Sequence, residues 1–227
     1  FCRENSFVPA FSVKEGLWYI NAFMQEGLNQ KPAESFYSPL LDKRCLYSRA
    51  RVIEDSDARV AVHVRHAPVD EDSLLTEANP LTGWSDWVDE YYTFYPDSIG
   101  ARKVVFHCRS SLSGRRVYQA GILQNLPQKD ESDFQDGSFM LANLKGQSAQ
   151  FKWAAGQKDF ESIPERAFLQ AFNVNNEASP FIIADPEKGE FAFHHPPEQP
   201  GFEDGAFSSL IWQPHEIREG SNTWSML

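Results

Sequence analysis

The chain has 227 residues, of which 41% are hydrophobic and 14% aromatic, with 18 Phe, 14 Pro and 13 Gly. That length can bury a sizeable core, and aromatic runs broken by Gly and Pro favour strands and turns over helices. A formal net charge of -11 argues against nucleic acid and against an anionic membrane surface, since both are gripped by Lys and Arg, but it leaves room for an anionic substrate in a local basic pocket.

Further classes are excluded by what is missing. No apolar run approaches the roughly 20 residues that span a bilayer. The chain carries no GxSxG, no P-loop, no GxGxxG after a strand and no HExxH. Cys2, Cys45 and Cys108 lack CxxC spacing, so a zinc knot is not expected. One disulfide with one free thiol fits their number as well as three thiols do. The start, "FCREN" without Met, suggests a processed, secreted product or one part of a longer chain.

Residues 1–45 read as an irregular segment in front of a single domain, although "GLWYINAFM" has the composition of a strand or a short helix. The first clear signal is "CLYSRARVIEDSDARVAVHVRHAPVDED", two strands around the polar turn Glu54 to Asp57. In the second strand Val60, Val62 and Val64 alternate with Arg59, Ala61, His63 and Arg65. Period 2 puts the valines on one face, expected to be core, and the His/Arg set on the other.

After the loop "DSLLTEANPLTG" comes "WSDWVDEYYTFYPDSIGARKVVFHCRSS", a predicted hairpin whose turn is Pro96-Asp97-Ser98 with Gly100 behind it. Tyr91, Thr93 and Tyr95 share one face, and Tyr92 and Phe94 the other. On the returning strand Arg102, Val104, Phe106 and Cys108 share a face. An Arg on such an apolar face needs a partner, and Asp89 or Glu90 on the preceding strand can supply it.

Further strands are predicted in "RRVYQAGIL", "SFMLANL", "QSAQFKWAA", "FLQAFNVN", "PFIIAD", "EFAFHH" and, last, "FSSLIWQ". "NLKGQ" reads as a tight turn with Gly146 free to adopt positive φ. "PQKDESDFQDG" and "HHPPEQPGFEDG" read as loops. Ten to twelve strands without a 20 to 50-residue repeat predict an all-β protein, a two-sheet antiparallel β-sandwich of jelly-roll or mutarotase-like type.

Three groups of residues can carry chemistry. His63 and Arg65 join a base to a guanidinium that grips a carboxylate, a pairing suited to β-elimination on a uronic acid; the same two residues on a solvated sheet face would merely meet nearby acids. Trp84, Trp87, Tyr91 and Tyr95 can form a platform for a pyranose, with Asp89 and Glu90 bonding its hydroxyls, or can be cross-strand packing. As strand neighbours, Asp89 and Glu90 point to opposite faces and do not flank one bond as a glycosidase pair would. His107 and His194 complete the substrate-binding candidates. No metal site is expected from His194, His195, His215, Glu216 and Asp204, and calcium on the acidic loops at Asp130 to Asp136 or Glu203-Asp204 is the one cation considered.

The phrases "YSRARVIEDSDARVAVHVRHA", "GWSDWVDEYYTFYPDSIGARKVV", "FMLANLKGQSAQFKW" and "SSLIWQPHEIREGSNTWSML" together resemble secreted bacterial β-sandwich proteins linked to polysaccharide breakdown, either polysaccharide lyases or accessory carbohydrate-binding modules. The resemblance covers Tyr47 to the end. It departs at His66, where the pattern has an aromatic, at Ser98, where it has Gly, and at "FHHPPEQPGFEDG", where it has a Trp-rich segment. The resemblance implies cleavage of an acidic polysaccharide or oligosaccharide outside the cell. Arg65 or Arg102 would then neutralise the carboxylate, Tyr91 or Tyr95 act as acid or base, and His63 act as base. A binding module without catalysis, and a structural sandwich whose rings are core, are the alternatives.

Overall fold

The computed structural model describes residues 1, 3, 6–14, 17–26, 36–70, 72–76, 78–97, 99–109, 117–125, 138–152, 163–173, 181–193, 207–215 and 219–226. Their regular structure is almost entirely strand: β1 (Ala10–Lys14), β2 (Leu17–Glu26), β3 (Phe36–Tyr37), β4 (Arg49–Asp55), β5 (Val60–His66), β6 (Trp87–Phe94), β7 (Gly100–Cys108), β8 (Val117–Asn125), β9 (Ser138–Ala142), β10 (Ser148–Lys152), β11 (Leu169–Asn173), β12 (Phe181–Ile183), β13 (Gly189–Phe193), β14 (Phe207–Pro214) and β15 (Gly220–Met226). A 3-10 turn, Pro39–Leu41, is capped by the Ser38 hydroxyl accepting from the Leu40 N–H. The all-β expectation therefore holds, and the sheet pairings are antiparallel in each hairpin and ladder whose register is defined.

The stretch 1–45 is not irregular as expected. It carries β1, β2 and β3, and β1 pairs antiparallel with β2 from Ala10↔Ile20 to Lys14↔Leu17. "AFSVK" and "LWYINAFMQE" are rich in the aromatic and β-branched residues that suit a pleated surface, and a partner strand satisfies their backbone groups.

The chain divides into two compact units, one of Phe1–Pro9, Ala22–Gln119 and Pro214–Leu227, the other of Ala10–Asn21 and Ala120–Gln213. The strand orders are β1-β2-β8-β14-β13 with β3 added on β2, β10-β9-β11-β12, and β15-β7-β6-β5-β4. In the second unit, the predicted turn at Asn143 to Gln147 closes β9 onto β10. Gly146 sits at φ 76, and the Asn143 side chain accepts from the N–H groups of Lys145 and Gln147 at 3.0 Å each. Phe139 and Phe151 stack across that hairpin with ring centroids 5.1 Å apart.

The five-stranded sheet of the first unit positions the candidate residues. Both of its predicted hairpins form. β4 and β5 meet at Ser56 to Arg59, with a bulge between Val52 and Glu54. β6 and β7 meet where the Tyr95 N–H donates to the Ile99 carbonyl at 3.0 Å. The alternation works as read: Val62, Val64, Val88, Tyr92, Val104, Phe106, Trp224 and Met226 are all buried on one face. Each such side chain contributes on the order of 1.5–3 kcal/mol on burial. β15 was not expected as a strand. Its "GSNTWSM" buries only Trp224 and Met226, and as the edge of the sheet it keeps a polar outer face.

Candidate functional site

Register places the polar side chains of the five-stranded sheet on two opposite faces. Across the outer face run Arg49↔Arg65↔Asp89 and Arg51↔His63↔Tyr91↔Lys103, followed by Trp87↔His107↔Ser221. Across the inner face run Val64↔Glu90↔Val104 and Val62↔Tyr92↔Arg102↔Met226. Asp89 and Glu90 are adjacent in β6, so the pleat sends one to each face.

On the outer face Asp89 is the hub. His63 Nε2 lies 2.7 Å from its Oδ1 and His107 Nε2 lies 2.8 Å from its Oδ2. Arg65 approaches Oδ1 at 3.9 Å and its guanidinium covers the Trp87 ring at 5.2 Å. A carboxylate accepts from both imidazoles, so both Nε2 atoms carry protons. Burial opposes ionisation of Asp89, but hydrogen bonds from His63 and His107 and the charge of Arg65 outweigh it and hold the carboxyl below its ordinary value.

The two histidines differ in what their second nitrogen does. The Arg51 Nε–H donates to His63 Nδ1 at 3.3 Å, so both ring nitrogens of His63 are engaged. Its ring also stacks on Tyr91, with centroids 4.7 Å apart and planes 18° apart. His107 Nδ1 meets only the hydroxyl of Ser221, at 3.0 Å. A hydroxyl rotates, so that nitrogen can be released. The side chain of His107 is 39% exposed and that of His63 12%. Of the two, His107 thus has the ring nitrogen that is easier to free and the more exposed side chain.

On the inner face Glu90 is the hub. It accepts from Arg102 Nε at 2.6 Å, pairs with His66 Nε2 at 2.7 Å, and receives the Tyr92 hydroxyl. The Arg102 guanidinium also lies 5.7 Å from the Tyr92 ring centroid. All four side chains are buried. Burial disfavours the Glu90 anion, yet the adjacent Arg102 charge and the bonds from His66 and Arg102 reverse this and drive the carboxyl far below its ordinary range. Burial pushes the Tyr92 phenol well above its own.

The structure therefore brings together His63, Arg65, Trp87, Asp89, Tyr91 and His107. It does not bring in Arg102 or Glu90, which pair with each other behind the sheet; Glu90 rather than Asp89 is the partner that Arg102 required. Nor does it bring in Tyr95, which follows β6 at its far end, about 20 Å along the strand from Asp89, and interacts with Arg59. Trp84 stands exposed in the loop before β6. His194, His195, Glu216, Asp204 and Asp130 to Asp136 lie outside the described residues. Among the described residues no group of three or more His, Cys, Asp or Glu is placed to hold a metal, and no helix is long and apolar enough to cross a membrane.

Sequence reading missed Arg49, Arg51, Lys103 and Ser221 as neighbours of this site. For the first three, the signal lay in period 2 applied to β4 and β7. For Ser221 there was none, because β15 was not read as a strand. The chain matches no family model, no curated protein and no solved structure.

Proposed function

We propose that this chain is a carbohydrate-active β-sandwich protein, of jelly-roll or mutarotase-like type, that takes an acidic, uronate-containing polysaccharide on the outer face of the five-stranded sheet and cleaves it by β-elimination. The reading rests on one observation above all. An acidic protein gathers an exposed Arg, a carboxylate-oriented His and two rings on one sheet face. Its sequence also resembles secreted proteins of polysaccharide breakdown, and a polymer of that kind would be met outside the cell.

The chemistry follows from the groups present. Arg65 offers a guanidinium fork to the uronate carboxylate, which stabilises the carbanionic character that develops at C5. The Nδ1 of His107 takes the C5 proton, and Asp89 steadies the imidazolium that results. The electron pair forms the C4–C5 double bond as the C4–O bond breaks. The leaving oxygen takes a proton, for which the Tyr91 hydroxyl is the candidate donor. Trp87, with Arg65 held over its ring, supplies the stacking surface. His63, bonded at both nitrogens, orients Asp89 and Tyr91 rather than acting as base.

Incubation with uronate polysaccharides, followed by the ultraviolet absorbance of the unsaturated product, tests this reading. Rising absorbance that His107→Ala removes is the expected result. Retention of polysaccharide without any product would favour the second reading, a binding module.

A further inference from the structure

The outer face of the sheet holds more positive charge than its own carboxylates neutralise. Arg49 on β4 lies directly opposite Arg65 on β5, and like charges facing each other across a sheet destabilise it. Arg51 is two residues from Arg49 on the same face, and Lys103 lies in its row beyond Tyr91. All four are exposed. Asp89 meets Arg65 only at 3.9 Å and is already bonded by two imidazoles. Glu54, farther along β4, is held by Arg59 at 2.8 Å. Arg49 has no ion-pair partner among the described residues. A chain with 32 acids leaves its guanidiniums facing one another here.

We infer that Arg49, Arg51 and Arg65 form a subsite for an anionic ester group, sulfate or phosphate, carried by the polysaccharide. This rests on the polysaccharide reading above and narrows its substrate to a uronate polymer that is also esterified. A planar carboxylate takes one edge of the Arg65 guanidinium, two of its five N–H donors, and leaves the remaining donors of that group to share in an ester beside it. A sulfate or phosphate ester presents three terminal oxygens, so guanidiniums on neighbouring strands can share it. Strands lie about 4.8 Å apart and alternate residues on one strand about 6.8 Å apart, close enough for long Arg side chains to converge on one tetrahedral group. Binding there would also relieve the repulsion between Arg49 and Arg65.

Calorimetric titration of the full chain with heparin, with chemically desulfated heparin and with phosphorylated dextran tests the subsite. Heparin is expected to bind at least about tenfold more tightly than its desulfated form, roughly the effect of one lost charge-assisted hydrogen bond. Its affinity should fall as salt rises, because binding releases counterions. Tighter binding of phosphorylated dextran than of heparin would assign the site to phosphate instead. Arg49→Gln is expected to remove most of that preference. The same variant should keep or raise the thermal midpoint of the free protein, since it relieves a like-charge pair. Equal affinity for heparin and desulfated heparin overturns the ester subsite and leaves the polysaccharide reading standing. A preference for heparin that survives in Arg49→Gln and Arg65→Gln together also overturns it. Failure of all three polymers to bind overturns both.

Discussion

Asp89 and Glu90 are neighbours in β6, yet they serve opposite ends. Glu90 faces inward, where a cation, an imidazole and a phenol surround it and all of them are buried. Asp89 points to the other face, where its partners are the largely buried His63, the partly exposed His107 and an Arg65 that comes no nearer than 3.9 Å. Both carboxyls are held below their ordinary values, but for different purposes. The inner group ties strands together in a place where an unpaired charge would be costly. The outer carboxylate is itself buried, but His107 and Arg65 are 39% and 44% exposed, so their pairing with it adds little to stability and leaves both able to meet a ligand. A carboxylate with cationic neighbours is thus sealed in the core or left beside groups a ligand can reach according to which side of the pleat it occupies.

The largest expected effect would break the inner group. Glu90→Ala should cost about 3–5 kcal/mol, because it leaves Arg102 buried without its counterion. Urea unfolding measures this, and a loss below about 1 kcal/mol would remove the claim that the inner group holds the sheet. The outer group should respond in the reverse manner. His107→Ala is expected to lower turnover on a uronate polysaccharide by about 10²–10⁴-fold with less than about 1 kcal/mol lost in stability. Turnover that survives the substitution would return the role of base to another residue.

Acid sharpens the contrast further. The folded-state carboxyl of Glu90 titrates below its unfolded value, so its stabilisation is complete above the ordinary carboxylate range and drains away as pH falls through that range and below. Unfolding free energies measured downward from about pH 5 should therefore decline by roughly 1–3 kcal/mol more in the wild type than in Glu90→Gln. Parallel curves would show that Glu90 is not the source. The smallest effect concerns Asp89 and Arg65. A double-mutant cycle between them should give less than about 1 kcal/mol, as expected for a loose pair whose Arg is 44% exposed. A larger coupling would make the outer face structural as well.

Much of this arrangement could be read before any coordinates. Alternation in "RVAVHVRH" and "DEYYTF" assigned the valines to the core and separated Asp89 from Glu90. An Arg within the apolar face of β7 announced a buried counterion. The unread parts have physical reasons. β15 carries polar residues at most positions and only Trp224 and Met226 turn inward, so as an edge strand it lacks the apolar run that marks a strand in sequence. Without β15, Ser221 could not be set beside His107. His63 looked like the base because type and face are legible in sequence. The Arg51 bond that occupies its Nδ1 depends on how β4 registers against β5.

The sequence by itself determined the all-β class, the two hairpins of the five-stranded sheet and the faces on which the side chains of β5, β6 and β7 lie. Period 2 and turn chemistry are local, so they survive without knowledge of neighbours. Only the tertiary structure decided which strands stand side by side, and hence that Glu90 claims Arg102 and His66, that Asp89 bridges His63 and His107, and that Arg49 confronts Arg65. Those pairings join residues distant in the chain. The free energy of a charge depends on the burial and partners that such pairing supplies.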